Sequence, residues 1–321
     1  MKTISIFNPT ILSPNIGDDI ILDSIYNELY ELFSNKFFID IPTHELIFRN
    51  SYRTLKNSQY AFVAGTNLLS SNMFIRKQWK LTPLDMLFVK NLILLGTGWR
   101  NYEKKTNLYA KTMYKKVLHK SIIHSVRDEY TKQRLKQIGI TNVLNTACPT
   151  MWKLTQEHLN GIPNRKSKNV IFTLTDYRKD YKYDKLFLKI LLNNYNKVFF
   201  FTQQLGDYHY IKELGLDLTN IHFINPTLQS YDTFLNENDV DYIGTRLHGG
   251  IRALQKHKRT IIIGVDNRAI EISKDTNLLV IKREDIESLL EDKIHSNIRY
   301  KLNIPFEAIK IWKTQFINKN H

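Results

Sequence analysis

An arginine, a histidine and two glycines stand together at Arg246, His248, Gly249 and Gly250. The arginine carries a planar fork that grips carboxylate or phosphate through two hydrogen bonds. The histidine gives and takes a proton near neutral pH. Glycine, lacking Cβ, lets a backbone come close to a bound group. The surrounding stretch, Asp241 to Asp266, reads as strand, abrupt turn, helix, strand. The four residues then lie at the carboxyl edge of a sheet and at a helix amino terminus, where N–H groups and the helix dipole favour an anion. Arg252 follows one turn after His248 on the same helix face. The chemistry implied is capture of a small anion with a proton donor beside it. A structural role is also open, with His248 capping the helix and Arg246 paired with a surface carboxylate.

Three further loops fall at inferred strand ends. The first carries Asn15, Gly17, Asp18 and Asp19, the second Gly65, Thr66 and Asn67, and the third Gly96, Gly98 and Arg100. Arg127 and Asp128 follow another strand. Singly, each is an ordinary turn or cap, with Asp18 and Asp128 suited to cap helices. Together at strand ends they form a set. Asp239-Val240-Asp241 could hold a metal–nucleotide, but it leads into a strand and reads better as the close of the preceding turn. Neither the dinucleotide glycine pattern, the phosphate-loop motif, a zinc-ligand spacing nor a nucleophile elbow occurs. No metal and no bound cofactor is expected.

The elements that position these residues form two α/β halves. Thr3 to Pro9 reads as a strand. A helix follows, on which Ile21, Ile25, Leu29 and Phe33 recur every fourth residue. Short apolar runs ending at Gly, Pro or charged residues read as buried strands, alternating with helices as in a doubly wound parallel sheet. The polar stretch 155–169 reads as a linker. Domain one is then 1–154 and domain two 170–302. A final helix over 303–321 has Phe306, Ile309 and Phe316 on one face. That face either packs back on the first domain or, with Trp312, meets a membrane. The fold class is α/β, with two Rossmann-like domains facing a cleft.

Composition bounds the rest. The 321 residues exceed what one core serves, and 42% hydrophobic content excludes disorder. The one cysteine, Cys148, leaves no intramolecular disulfide. The start lacks a signal-peptide pattern and no apolar run is long enough to span a bilayer, so a cytoplasmic location is expected. The net charge of +15 favours an anionic partner. Without a nucleic-acid motif or an aromatic-interleaved basic stripe, no nucleic acid is expected. The run Lys104 to Lys120 reads as a solvated face or as a contact for an anionic inner membrane.

In order, these pieces resemble the polysaccharide pyruvyl transferase family. The matching residues are Asn15 to Asp18, Ala64 to Asn67, Gly96 to Gly98, Ser125 to Asp128, Arg246-Leu247-His248, and Asp266 to Arg268. The family often has a glycine run at Ala64 to Asn67, Asp-Pro-Ala at Ala147-Cys148-Pro149, and lysine at Arg268. The resemblance implies a GT-B-like fold. It implies transfer of pyruvate from phosphoenolpyruvate, a co-substrate, to two hydroxyls of a sugar as a cyclic ketal. The acceptor would be a saccharide of a capsule or exopolysaccharide, or its lipid-linked precursor. Arg246, His248, Gly249 and Gly250 would bind the donor, with Arg127 and Arg268 taking remaining charge. His248 would be the general acid and Asp18 the base. Asn15, Gly17, Asp18, Asn67 and Arg100 would lie on the acceptor side. A nucleotide-sugar glycosyltransferase of the same fold is the alternative, and a non-enzymatic nucleic-acid-binding protein a further one.

Overall fold

The computed structural model describes residues 2–75, 78–103 and 105–317. The chain forms two compact units: residues 1–13, 21–152 and 304–321 make the first, and residues 14–20 and 153–303 the second. Two short segments therefore depart from the simple halves read in the sequence.

In the first unit, β1 (Thr3–Asn8), β2 (Phe37–Pro42), β3 (Ser58–Ala64) and β4 (Leu92–Leu95) form a parallel sheet ordered β2-β1-β3-β4. Its helices are α1 (Ile16–Leu32), which enters it from residue 21 on, α2 (Arg49–Asn57), the single turn α3 (Asp85–Phe88) and α4 (Leu108–Val117). Then β5 (His124–Val126) and β6 (Val143–Asn145) pair in parallel, with α5 (Glu129–Gln137) between them. All of β4 and most of β1 are buried, as strands covered on both faces must be. Ile21, Ile25, Leu29 and Phe33 are buried along α1 and the residue after it. Lysines mask α4 in the sequence, yet its Ala110, Met113, Tyr114 and Val117 form a buried stripe.

After residues 14–20, the second unit resumes at 153 and its next helix is α6 (Gln156–Asn160), inside the stretch read as linker; Leu159 and Ile162 bury there and tie it to a core. Strand and helix then alternate: β7 (Asn169–Thr173), α7 (Tyr181–Asn194), β8 (Lys197–Phe201), α8 (Leu205–Glu213), β9 (Ile221–Ile224), α9 (Leu228–Glu237), β10 (Asp241–Gly244), α10 (Leu247–Gln255), β11 (Thr260–Gly264), α11 (Asn267–Thr276), β12 (Val280–Lys282) and α12 (Ile286–His295). The six strands are parallel in the order β12-β11-β10-β7-β8-β9. The chain winds outward from β7 in one direction and then resumes at β10 in the other. The carboxyl ends of β7 and β10 therefore flank the switch point, the crevice where open α/β sheets take ligands.

Asp241 is not available to a metal. Its carboxylate accepts from Arg259 Nη1 (2.7 Å) and Tyr195 OH (2.7 Å), and Arg259 Nη2 closes the end of α12 through the carbonyls of Lys293, Ile294 and Ser296. The last helix, α13 (Phe306–Ile317), belongs to the first unit. Phe316 packs on Phe33 and Phe62 at ring-centroid distances of 5.7 and 5.4 Å. Trp312 and Phe316 are core residues, which removes the tail's apolar face as a membrane contact.

Candidate active site

The switch point is built from the ends of β7 and β10. Tyr242 OH donates to the carbonyl of Arg246 (2.7 Å) and pairs with Thr173 Oγ1 (2.6 Å), which also takes the N–H of Arg246 (3.2 Å). These bonds fix the turn that starts α10. Arg246 is the residue just before the helix, in extended backbone. Its side chain runs back toward β7 and β8. Nε donates to Leu174 O and to Asp207 Oδ2, both at 3.0 Å, and Nη2 donates to Asp207 Oδ1 and to Asp176 Oδ1 (3.1 Å). Arg246 thus pairs with carboxylates, but chiefly with a buried one.

Asp207 sits in the first turn of α8, where it also accepts from the N–H of Gln204 (3.0 Å) and of Asp176 (3.1 Å). Burial pushes its carboxyl up to about 6, even against the pull of Arg246. Gly206 makes the arrangement possible, because a Cβ there would lie 1.8 Å from Asp176 Oδ2.

Tyr177 follows Asp176 and carries two guanidinium groups over its ring, Arg246 at 4.9 Å and Arg268 at 5.6 Å from the centroid. Arg268 also donates to Tyr177 OH and, through Nε, to Asp266 Oδ2 (2.9 Å). Asp266 caps α11 by accepting from the N–H of Arg268 (3.0 Å). The Arg268 side chain is 20% exposed against 3% for Arg246, so Arg268 is the more accessible cation.

His248 is buried in the first turn of α10. The two glycines beside it serve the protein's own packing. An added Cβ would lie 2.9 Å from Gln203 Oε1 at Gly249, and within 2.8 Å of both Ile262 and Tyr242 at Gly250. Both glycines thus make room for neighbouring side chains. Arg252 pairs with Asp232 (Nε to Oδ1, 2.7 Å) and ties α10 to α9.

Asn15, Gly17 and Asp18 lie in the second unit, with Arg246. The N–H of Ile16 donates to Gln203 O (3.0 Å), and Gln203 Nε2 donates to Asn15 Oδ1 (3.2 Å). Asn15, not Asp18, caps α1, taking the N–H of Gly17 on its side chain (3.1 Å). Asp18 is the third helical residue and is half-buried; beside it, burial and the Asp18 charge raise the Asp19 carboxyl.

The other expected residues lie in the first unit. Arg127 is buried, bonds Asp128 (3.0 Å) and leaves Nη2 without a hydrogen-bond partner. Gly98 makes its room, since a Cβ there would lie 2.2 Å from the guanidinium carbon. Asp128 caps α5 through the N–H of Thr131 (2.7 Å). Thr66 adopts φ +52°, and Thr66 Oγ1 and Asn67 Oδ1 are buried without partners. Arg100 is half-buried.

Sequence reasoning missed Asp176, Tyr177, Gln203 and Asp207. All four stand just past the ends of β7 and β8. Applying the strand-end rule to those strands as well as to β10 would have found them.

A doubly wound chain with an Arg-Leu-His helix start at its switch point has the layout of a transferase of GT-B-like fold. The chain belongs to the polysaccharide pyruvyl transferase family, whose sequence model matches residues 15–267. It resembles the Methanocaldococcus jannaschii UDP-GlcNAc 2-epimerase, solved in complex with UDP-GlcNAc and UDP, over 99% of this chain and 100% of that one, with TM-score 0.57 and 12% identity. A Listeria monocytogenes protein assigned as a UDP-N-acetylglucosamine 2-epimerase is similar over 99% and 97%, with TM-score 0.53 and 12% identity. At that identity the likeness is one of fold. Among curated proteins none matches the chain.

Proposed function

We propose that this protein moves pyruvate from phosphoenolpyruvate to two hydroxyls of a saccharide, or of its lipid-linked precursor, as a cyclic ketal. The Arg-Leu-His start of α10 at the switch point, in a chain of this family, carries the reading. Arg268 and the amino-terminal N–H groups of α10 meet the donor's charge. Arg246, held by Asp207 and Asp176, is a positioning residue that fixes where α10 begins. His248 delivers a proton to the methylene carbon of the enol. A sugar hydroxyl then attacks the adjacent carbon and gives its proton to Asp18. Phosphate leaves with the bridging oxygen, and the second hydroxyl closes the ketal as its own proton goes to solvent. No helix among the described residues is long and apolar enough to cross a membrane. A cytoplasmic setting for the reaction is part of the proposal.

Mass spectrometry of oligosaccharides incubated with phosphoenolpyruvate tests the reaction; the expected product has gained one pyruvyl ketal. Calorimetric titration tests the site. Arg268→Ala is expected to weaken phosphoenolpyruvate binding about ten-fold or more, the scale of one charge-assisted pair. Arg246→Lys is expected to lower kcat more than it raises KM. Equal donor affinity in wild type and Arg268→Ala would refute the assignment. Binding of nucleotide-sugars without phosphoenolpyruvate would give the site to glycosyl transfer.

A further inference from the structure

Residues 46–120 contain fourteen lysines and arginines and two acids, Asp85 and Glu103, so under a quarter of the chain holds +12 of its +15 charge. Both acids are turned to internal duties. Asp85 is buried and accepts from Tyr52 OH (2.6 Å) and Thr82 Oγ1 (2.7 Å). Glu103 accepts from the N–H of Ser71 (2.5 Å) and Trp99 Nε1 (2.9 Å). What remains to face solvent with charge is cationic, as at Lys90, Lys105, Lys115 and Lys116. Lys104, the start of the basic run, lies outside the described residues.

The same segment is unusually apolar where it is exposed. Of twenty large hydrophobic residues exposed among the described residues, nine fall here. Leu84, Leu87 and Phe88 surround the turn α3, and Phe88 lies against Tyr52 of α2 with ring centroids 5.0 Å apart. One turn before Tyr52 stands Phe48, 69% exposed. On α4, Leu108 is 79% exposed, and its neighbour Tyr109 packs edge-on against the exposed Phe74 at 5.9 Å. Aromatic and aliphatic side chains therefore project from α2, α3 and α4 among lysines. These helices lie in one unit, and Tyr52, Met86 and Tyr109 pack on one core.

We infer that this face docks on an anionic lipid bilayer, with the apolar side chains entering the headgroup boundary and the lysines over the phosphates. A soluble polyanion would use the cations and leave Phe48, Leu87 and Phe88 in water. A second copy of the chain would bring +12 against +12. An anionic bilayer matches both features at once. The inference deepens the reading of a lipid-linked acceptor, since it would bring the enzyme to where such an acceptor is held, but its test reads no chemistry.

Flotation with vesicles of phosphatidylcholine alone, and with a third phosphatidylglycerol, tests the surface at low and high salt. Wild type is expected to float with the anionic vesicles about ten-fold or more better than with neutral ones, and less so at high salt. Leu87→Ser/Phe88→Ser and, separately, Lys115→Glu/Lys116→Glu are expected to cut anionic flotation about ten-fold. Circular-dichroism spectra and urea midpoints matching wild type show that the variants are folded. Indifference to phosphatidylglycerol overturns the inference. So does full anionic flotation of Leu87→Ser/Phe88→Ser, above all if inorganic polyphosphate binds that variant as it binds wild type, which would mark a site for soluble polyanions. Flotation without any phosphoenolpyruvate binding would leave the surface standing and remove the donor.

Discussion

Arg246 and Asp207 show what a residue type can and cannot announce. The Arg-x-His-Gly-Gly spacing marked the start of α10 from the sequence, because strand, turn and helix are local. The partners of Arg246 were not legible: Asp207 is 39 positions away and Asp176 is 70. Only the parallel order of β8, β7 and β10 brings them together. The same holds for Gln203, which meets Asn15 across 188 positions. Asp207→Asn would leave a buried guanidinium with Asp176 as its one remaining carboxylate. Breaking a buried pair from one side costs about 3 kcal/mol or more. Urea unfolding of the variant at neutral pH is expected to show that loss. The burial that raises the Asp207 carboxyl favours its protonated form. The proton-linked part of its contribution, separate from its hydrogen bonds to Arg246, is greatest below the unfolded carboxylate value and is lost as pH rises through about 6. The deficit of Asp207→Asn against wild type should accordingly be larger at pH 5 than at pH 8.

At the scale of elements, the buried strands were the most legible parts, since strands covered on both faces must be apolar runs. Of the helices that escaped, α2 buries none of its residues and α4 carries its apolar stripe between lysines. Polar surfaces of this kind give composition little to distinguish helix from loop. Nor did any sequence pattern predict how the edges of the first unit's sheets are joined. His124 of β5 does part of that work. Its Nδ1 accepts the N–H of Leu94 in β4 (3.2 Å), so Nε2 donates to His119 O (3.0 Å). Burial pushes its pKa down to about 4. A folded pKa below the ordinary histidine value means stability that is present above about 6.5 and lost as pH falls toward 4. The loss is on the order of 3 kcal/mol. Unfolding midpoints of wild type and His124→Gln between pH 7.5 and 4.5 should diverge in slope, with the variant the flatter; parallel slopes would show that another group titrates.

Across the whole molecule, the division of the chain matters more than either sheet. The stretch read as a linker is entered by α6, and each unit needs a segment from far along the sequence. A fragment of residues 155–302 would lack Asn15 and its bond to Gln203. A chain ending at Asn303 would strip Phe316 from Phe33 and Phe62, and Gln315 from both backbone groups of Ile123. Removing the buried side chains of Trp312 and Phe316 costs roughly 3–5 kcal/mol each. Truncation after Asn303 is expected to leave a first unit that binds a hydrophobic dye and is cut rapidly by protease. A truncated chain as resistant as the full one would show that α13 is dispensable.

The closing role of α13 also has a meaning in time. Synthesis runs from the amino terminus at about 5–20 residues per second. Phe33 and Phe62 emerge early, yet Trp312 and Phe316, the aromatic rings that cover them, follow far later in the chain. Residues 14–20 likewise wait for Gln203 before their pairing exists. The first unit cannot be finished and set aside before the second is made, so the nascent chain carries an open aromatic surface until α13 is made. In the cell, its yield should depend on chaperones that shield that surface until α13 arrives.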